Sequence, residues 1–447
     1  MKRFDRVLIT AIVLTFAISL VSFATGWEQN ENGWRWIDSN GTPIYNEWKP
    51  DSNGDYFYLD GNGYMAKETF VDNERYVDAS GRMVKNRWMQ HENKWYYFDQ
   101  SGKMVTNKKR LIEDQWYFFD YDGTMITGWH SDGDDWYYCN GEAGGHLITN
   151  AWKKLEPAEG MIFDQTNNVS DEGVYWFYFQ STGKAARATD TDYKEFAIAG
   201  EKYAFDRSGR MVTGWTKLAD TTPVIAGYKY YNDTSSIGTY GAAHTGWLSA
   251  YAPDGTENGG EVQWYYFDTK GVPVYGKKTT SNNGATAYEA NFKKITKNGT
   301  TYTYLFNDLG NPVYGLVQVK GTDGAFTSMY FGTKTQSCLQ KGASTIVEGD
   351  GTTWKYHFTS AGYGYTGIYN NCLYYKGKLQ KALDDSSAYY TVNGTTYLVT
   401  QAGALRKSYN KTKKANEVEY RSDSSGIRDG GTAGVSPLIE PEWTVQE

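Results

Sequence analysis

The sequence predicts an all-β fold, a solenoid of stacked short β-hairpin repeats, and three observations predict it. Aromatic residues make up 17% of the 447 residues, with 16 Trp, 39 Tyr and 19 Phe. Glycine occurs 49 times against only 9 prolines. One short unit, four or five consecutive aromatics followed by Asp-x-x-Gly, recurs along most of the chain. Aromatic runs favour a pleated, half-buried strand, and frequent glycines supply tight turns, so many short strands are expected rather than helical layers. The net charge of −7 argues against a nucleic-acid binder, which needs a basic surface to neutralise phosphates. Collagen, coiled coil and a multi-span membrane protein are excluded by the same composition.

Residues 1–24 read as a secretory signal peptide. Lys2, Arg3 and Arg6 charge the start, Val7 to Val21 is apolar apart from Thr10, Thr15 and Ser19, and Ser22-Phe23-Ala24 provides a small-x-small end. The apolar stretch falls short of the roughly 20 residues that span a bilayer comfortably. After cleavage no membrane association is expected, and the chain is expected to be secreted and held at the cell wall or cell surface.

Residues 25–150 carry the best-formed repeats. Trp95-Tyr96-Tyr97-Phe98-Asp99 is followed by Gly102 and Met104; Trp116-Tyr117-Phe118-Phe119-Asp120 is followed by Gly123, Met125 and Thr127-Gly128-Trp129. The turn glycines Gly41, Gly63, Gly81, Gly102 and Gly123 recur roughly every 20 residues, a period that signals a repeat architecture. Each aromatic run reads as a strand with alternate side chains on opposite faces. Tyr96 and Phe98 then share one face, and Trp95, Tyr97 and Asp99 the other. Asp-x-x-Gly is turn chemistry, and the following Met and Val or Thr begin the return strand. A single hairpin is marginal in water, whereas stacked neighbours bury a continuous ribbon of aromatics.

Residues 151–409 read as degenerate repeats with insertions. Trp176-Phe177-Tyr178-Phe179 precedes Gly183, Trp264-Tyr265-Tyr266-Phe267-Asp268 precedes Gly271, and weaker copies centre on Gly209, Gly310, Gly362 and Gly403. Residues 410–447 are basic at first, with Lys411, Lys413 and Lys414, and from 422 read as a Ser/Gly/Asp-rich linker or disordered end. Three cysteines are too few for a disulfide framework. Cys139 stands where sibling repeats carry Phe and reads as core, which leaves Cys338–Cys372 as the better candidate bridge. The five histidines lack metal-ligand spacing, so no metal and no cofactor are expected.

The ordered pattern of Gly-Trp, a spacer, Trp-Tyr-Tyr-Phe-Asp, x-x-Gly-x-Met and Thr-Gly-Trp resembles the cell-wall-binding, or choline-binding, repeats of Gram-positive surface proteins. It is also similar to the glucan-binding repeats of glucansucrases and the C-terminal repeats of clostridial toxins. Residues 84–148 match best, and the wider resemblance covers about 27–405. In choline-binding members the Gly-Trp tryptophan, the strand tryptophan and an aromatic from the next repeat form a cage for a quaternary ammonium. The resemblance therefore implies three ligand cages: Trp88 and Trp95 with Tyr97 or Tyr117; Trp129 and Trp136 with Tyr138; and Trp48 with Tyr56 and Tyr76. The pattern also fails in places. Asn107-Lys108-Lys109 replaces the expected tryptophan after Gly102, Phe70 does so after Gly63, and Gly315-Leu316 and Gly367-Ile368 stand in for later ones.

No stretch of non-repeat sequence long enough for an enzyme domain is found between Gly26 and Tyr409. The expected function is non-catalytic binding of cell-wall polymer or extracellular glycan, with choline, glucan and peptidoglycan left open as ligand chemistry. The alternatives are a structural adhesin with a protein partner on a host or bacterial surface, and the anchoring part of a wall hydrolase.

Overall fold

The computed structural model describes residues 25–161, 173–253, 261–384, 386–413 and 418–445. The expected signal peptide and part of the insertion 153–174 lie outside the described residues. The fold is all-β. Among the described residues, helix is confined to two 3-10 turns, Gly141–Ala143 and Val224–Gly227, and no helix is long and apolar enough to cross a membrane.

The fourth hairpin shows how the repeat is built. Strand Arg87–His91 pairs antiparallel with Lys94–Phe98, with Trp88 opposite Tyr97. Glu92 and Asn93 join them at φ 48° and 63°, the paired left-handed geometry of a two-residue hairpin turn. The hairpin therefore begins one strand earlier than the sequence reading placed it. Asp-x-x-Gly is the connection leading out of the hairpin, and the second residue after it contributes a single bridge, Phe98 to Met104, rather than a full return strand. Asp99 organises that connection. Its carboxylate accepts from the amides of Ser101 at 2.9 Å and Lys103 at 3.0 Å and from Ser101 Oγ at 2.6 Å.

Alternation along Lys94–Phe98 sets the two faces. Tyr96 and Phe98 are buried at 7% and 0% exposure, while Trp95 and Tyr97 are half-buried. Phe98, Tyr96, Tyr76, Val84 and Met104 form one core cluster, so each core draws on two successive repeats.

Stacking uses two devices that recur. The methionine amide after the turn reaches back to the previous hairpin: Met65 to the Trp34 carbonyl at 2.7 Å, Met83 to Tyr56 at 2.8 Å, Met104 to Glu74 at 2.7 Å and Met125 to Trp95 at 2.7 Å. The turn glycine also receives the preceding repeat's methionine. Gly102 has φ +80°, and a Cβ there would run into Met83. Backbone conformation and close approach both demand glycine at this point. At Pro273 and Pro312 the equivalent position has no N–H to donate; the internal bridges to Phe267 and Phe306 remain, and beside Pro312 the Asn311 side-chain amide donates to the Trp264 carbonyl at 3.3 Å.

Two compact units form, Met1–Lys153 with Tyr178–Ala185, and Lys154–Phe177 with Ala186–Glu447. The first consists of stacked hairpins. The second adds two larger sheets to its hairpins. One is four-stranded, with Thr286–Glu289 pairing parallel to Leu316–Lys320; the other is five-stranded around Thr353–Phe358.

Two expectations are corrected in the second unit. The described residues of the stretch read as basic and then as a linker or disordered end continue the repeat: Tyr409–Lys413 pairs with Val418–Ser422, and Asp423 and Gly426 repeat the Asp-x-x-Gly connection. Beyond it the Thr444 amide donates to the Leu316 carbonyl at 2.8 Å, and the Ile439 amide to Gln380 Oε1 at 2.8 Å. Serine, glycine and aspartate are turn formers here, and composition alone cannot separate that use from a linker. The bridge Cys338–Cys372 is also absent, since all three cysteines are free. Cys338 packs with Ile295, Tyr304 and Phe306, whereas Cys372 lies on the five-stranded sheet. Cys139 is fully buried against Phe118, Tyr137 and Leu147, and burial pushes its thiol up to about 12.

Candidate functional site

Hairpin stacking turns the groove-facing aromatics into corners. Trp88 stands on the first strand of its hairpin, Trp95 and Tyr97 on the second, and Tyr117 on the second strand of the next hairpin. The Trp88 ring centroid lies 6.5 Å from Trp95 at 85°, 5.3 Å from Tyr97 at 67° and 4.7 Å from Tyr117 at 65°. These near-perpendicular contacts are the favoured edge-to-face arrangement, and Phe119 of the next hairpin stacks on the Trp88 ring at 5.6 Å and 26°. Trp88, Trp95 and Tyr117 all stay half-buried. Tyr97 is fixed by its hydroxyl, which donates to Asn86 Oδ1 at 2.9 Å. Burial raises the Tyr117 phenol above its ordinary pKa, with Glu113 adding to the effect, so this wall is neutral.

The second expected set is also brought together. Trp129 lies 6.2 Å from Trp136 at 90° and 5.4 Å from Tyr138 at 82°. Phe179 from the following repeat lies 5.7 Å from Trp129, as Phe119 lies 5.6 Å from Trp88.

The third set is not brought together. Trp48 packs on Tyr58, 5.2 Å away across the strand pair, and Tyr56 is exposed under the Lys85 ammonium at 5.0 Å. Tyr76 is buried at 6% exposure against Phe70 and Tyr96. The reason lies in the register. The closing ring comes from the residue three before the turn Asp, as Tyr117 is to Asp120, and in this repeat that residue is Arg75 before Asp78. Tyr76 therefore occupies the place of Tyr97, not of Tyr117.

Sequence reasoning missed two corners. In the first hairpin Trp27 lies 5.4 Å from Trp36 and 5.2 Å from Phe57 of the next hairpin, and Trp27, Trp34 and Phe57 line a cleft of about 590 Å³. Asp51, Asp55, Asp78, Arg82 and Arg87 ring that cleft. In the second unit Trp247 lies 6.2 Å from Trp264 at 83° and 5.0 Å from Tyr304 at 63°. This closely reproduces the Trp88, Trp95 and Tyr117 geometry, and Trp264 is 50% exposed. Both were legible as Gly26-Trp27 and Gly246-Trp247 followed by a strand tryptophan. The insertion between Trp247 and Trp264 disguised the second. Trp215, 4.9 Å from Tyr265, forms a related corner in which Tyr228 takes the strand-tryptophan place.

Corners of this kind offer electron-rich ring faces to a cation or a flat apolar ring. Each well-placed aromatic contributes about 0.5–1 kcal/mol to a cation at an exposed site and about 2 when water is excluded.

The described residues form an all-β array of hairpins with aromatic corners between repeats, and comparison with known proteins names the repeat. Residues 72–108 and 110–152 match the choline-binding repeat, and residues 263–272 match the cell wall binding repeat. The chain thus contains segments that match choline-binding repeats. It is 26% identical over 305 residues to glucosyltransferase-S of Streptococcus mutans, covering 64% of this chain but 17% of that protein. The chain therefore spans only about a sixth of that relative's length. Among solved structures it is similar to choline binding protein F of Streptococcus pneumoniae, at 20% identity over 77% of this chain and 98% of that one, with a TM-score of 0.39. The modular autolysin LytC of Streptococcus pneumoniae aligns at 20% identity over 64% of this chain and 52% of that one, with a TM-score of 0.39.

Proposed function

We propose that this protein is a non-catalytic, surface-attached binder of choline-bearing cell-wall polymer, and that the aromatic corners between successive hairpins are its ligand sites. The carrying observation is the recurrence of one geometry, Trp88 with Trp95 and Tyr117 in the first unit and Trp247 with Trp264 and Tyr304 in the second. Core packing needs buried rings, yet the strand tryptophans Trp95 and Trp264 keep exposed surface in both places. A choline headgroup presents a quaternary ammonium that three such rings can surround. One corner binds weakly, and several on one chain engaging one polymer raise the overall affinity without new contacts.

Retention on choline-agarose, with elution by free choline, tests this reading. Dextran resin and purified cell walls serve as the other arms. Retention by dextran alone would redirect the proposal to glucan, since aromatic faces also stack on sugar rings. The adhesin reading draws on the late repeats. At the place of the Gly-Trp tryptophan Leu316 is fully buried in a core, and Ile368 stands at a second such place. Among the described residues those two places hold no indole, and Ile368 and Tyr369 are exposed there.

A further inference from the structure

The fifth hairpin, Lys108–Ile112 paired with Gln115–Phe119, departs from its neighbours at one residue. Lys109 stands opposite Phe118 as Trp88 stands opposite Tyr97, so it occupies the place of the Gly-Trp tryptophan. The rest of the corner is intact. Trp116 corresponds to Trp95, and Tyr137, three residues before the turn Asn140, corresponds to Tyr117. The Lys109 ammonium lies 4.9 Å from the Trp116 ring centroid, 5.5 Å from Tyr137 and 5.8 Å from Phe118. It donates to the Thr182 carbonyl oxygen at 3.0 Å, a contact with a residue 73 positions away. Burial is the leading reason that this ammonium lies below the ordinary lysine pKa, as expected of a charge drawn partly out of water.

The geometry points to Lys109 as the resident cation of its own aromatic corner: Trp116, Phe118 and Tyr137 hold its ammonium where the neighbouring corners would take a quaternary ammonium from outside. The corner is thus a latent site, closed in the native chain and opened by removal of one side chain. Three rings already surround the ammonium, so no further residue is needed to make it a cation site. The tether supplies the occupant at high effective concentration, so a soluble cation of similar intrinsic affinity does not displace it. The inference rests on the proposed role of the other corners.

Calorimetric titration of the full-length chain with choline chloride tests it. Lys109→Ala is expected to bind one more choline per chain than the native protein. The gain is expected to vanish in the Lys109→Ala, Trp116→Ala double variant. Equal stoichiometry in the native chain and Lys109→Ala overturns the inference, and if the native chain still binds choline the proposed function stands. A native chain that binds none while Lys109→Ala binds one supports the inference and removes the proposed function. No binding to either overturns both. A native-chain readout covers the case in which the variant does not fold. The ε-methylene protons of Lys109 should resonate upfield of the other lysines through ring currents and return to the common position in Trp116→Ala. Finding them at the common position in the native protein overturns the inference.

Discussion

Trp88 and Tyr117 belong to different hairpins, and their rings meet 4.7 Å apart at 65°. The corner they form with Trp95 therefore exists only where two repeats stack. The proposed site and the fold are made by the same contact, so a residue can be assigned to ligand or core only by separating its effect on binding from its effect on stability.

Trp95 and Phe98 separate the two. Phe98 is fully buried and Trp95 is half-buried. Phe98→Ala is expected to cost about 3–5 kcal/mol, the usual loss for a large buried aromatic. Trp95→Ala is expected to cost clearly less and to weaken choline binding. Thermal melts with a binding assay on both variants check this. Equal destabilisation would move Trp95 to the core.

Gly102→Ala is expected to destabilise by about 1–3 kcal/mol, in the range of overpacking a fitted site. Alanine would be forced to φ +80° while its Cβ meets Met83. Pairing it with Met83→Ala relieves the clash but not the backbone strain, so the double variant should recover part of the loss beyond what Met83→Ala costs alone. Urea midpoints of the three variants measure it.

The alkaline limb of stability is set by buried tyrosines. Burial raises Tyr288 to about 12 and, with the neighbouring carboxylates Glu195 and Glu348, raises Tyr231 and Tyr356 further. An unfolded tyrosine ionises near 10. Above that pH the unfolded chain binds fewer protons than the native one, so stability falls as pH rises. Below it these groups contribute no slope. Absorbance at 295 nm should show one tyrosine class titrating near pH 10 and a second appearing only as the chain unfolds. A single reversible class without unfolding would contradict this.

Cys139 should resist modification by a thiol reagent at pH 8 in the native protein, because it is fully buried and its thiol is raised to about 12. Cys372, only half-buried, should react first. In denaturant all three should react, consistent with free thiols. Two unreactive cysteines that become titratable only after reduction would restore a bridge.

Much of this was legible because alternation acts locally. Buried Tyr96 and Phe98 and groove-facing Trp95 and Tyr97 follow from strand periodicity alone. The hairpin position was misread because Asp99 and Gly102 carry the strongest turn signal, while the actual hairpin turn is Glu92-Asn93, where only Asn93 is a typical left-handed residue. Tyr76 was misplaced because it sits one residue from the position that closes a corner, and a period of two sends a one-residue shift to the opposite face. The corner at Trp247 was hidden by an insertion that keeps its three rings close in space but far apart in sequence. Nothing in the sequence marked Lys109 as more than a lost tryptophan, since its rings come from two hairpins and its carbonyl partner from a third.

The most direct test of the account is choline stoichiometry in the full-length chain against variants lacking one strand tryptophan in each unit. Calorimetry should show saturable binding that loses one site in Trp95→Ala, one in Trp264→Ala and two when both are combined, with all variants folded by circular dichroism. Native binding stoichiometry in the folded double variant, or no choline binding by the native chain, would contradict the claim that corners between stacked hairpins are the ligand sites.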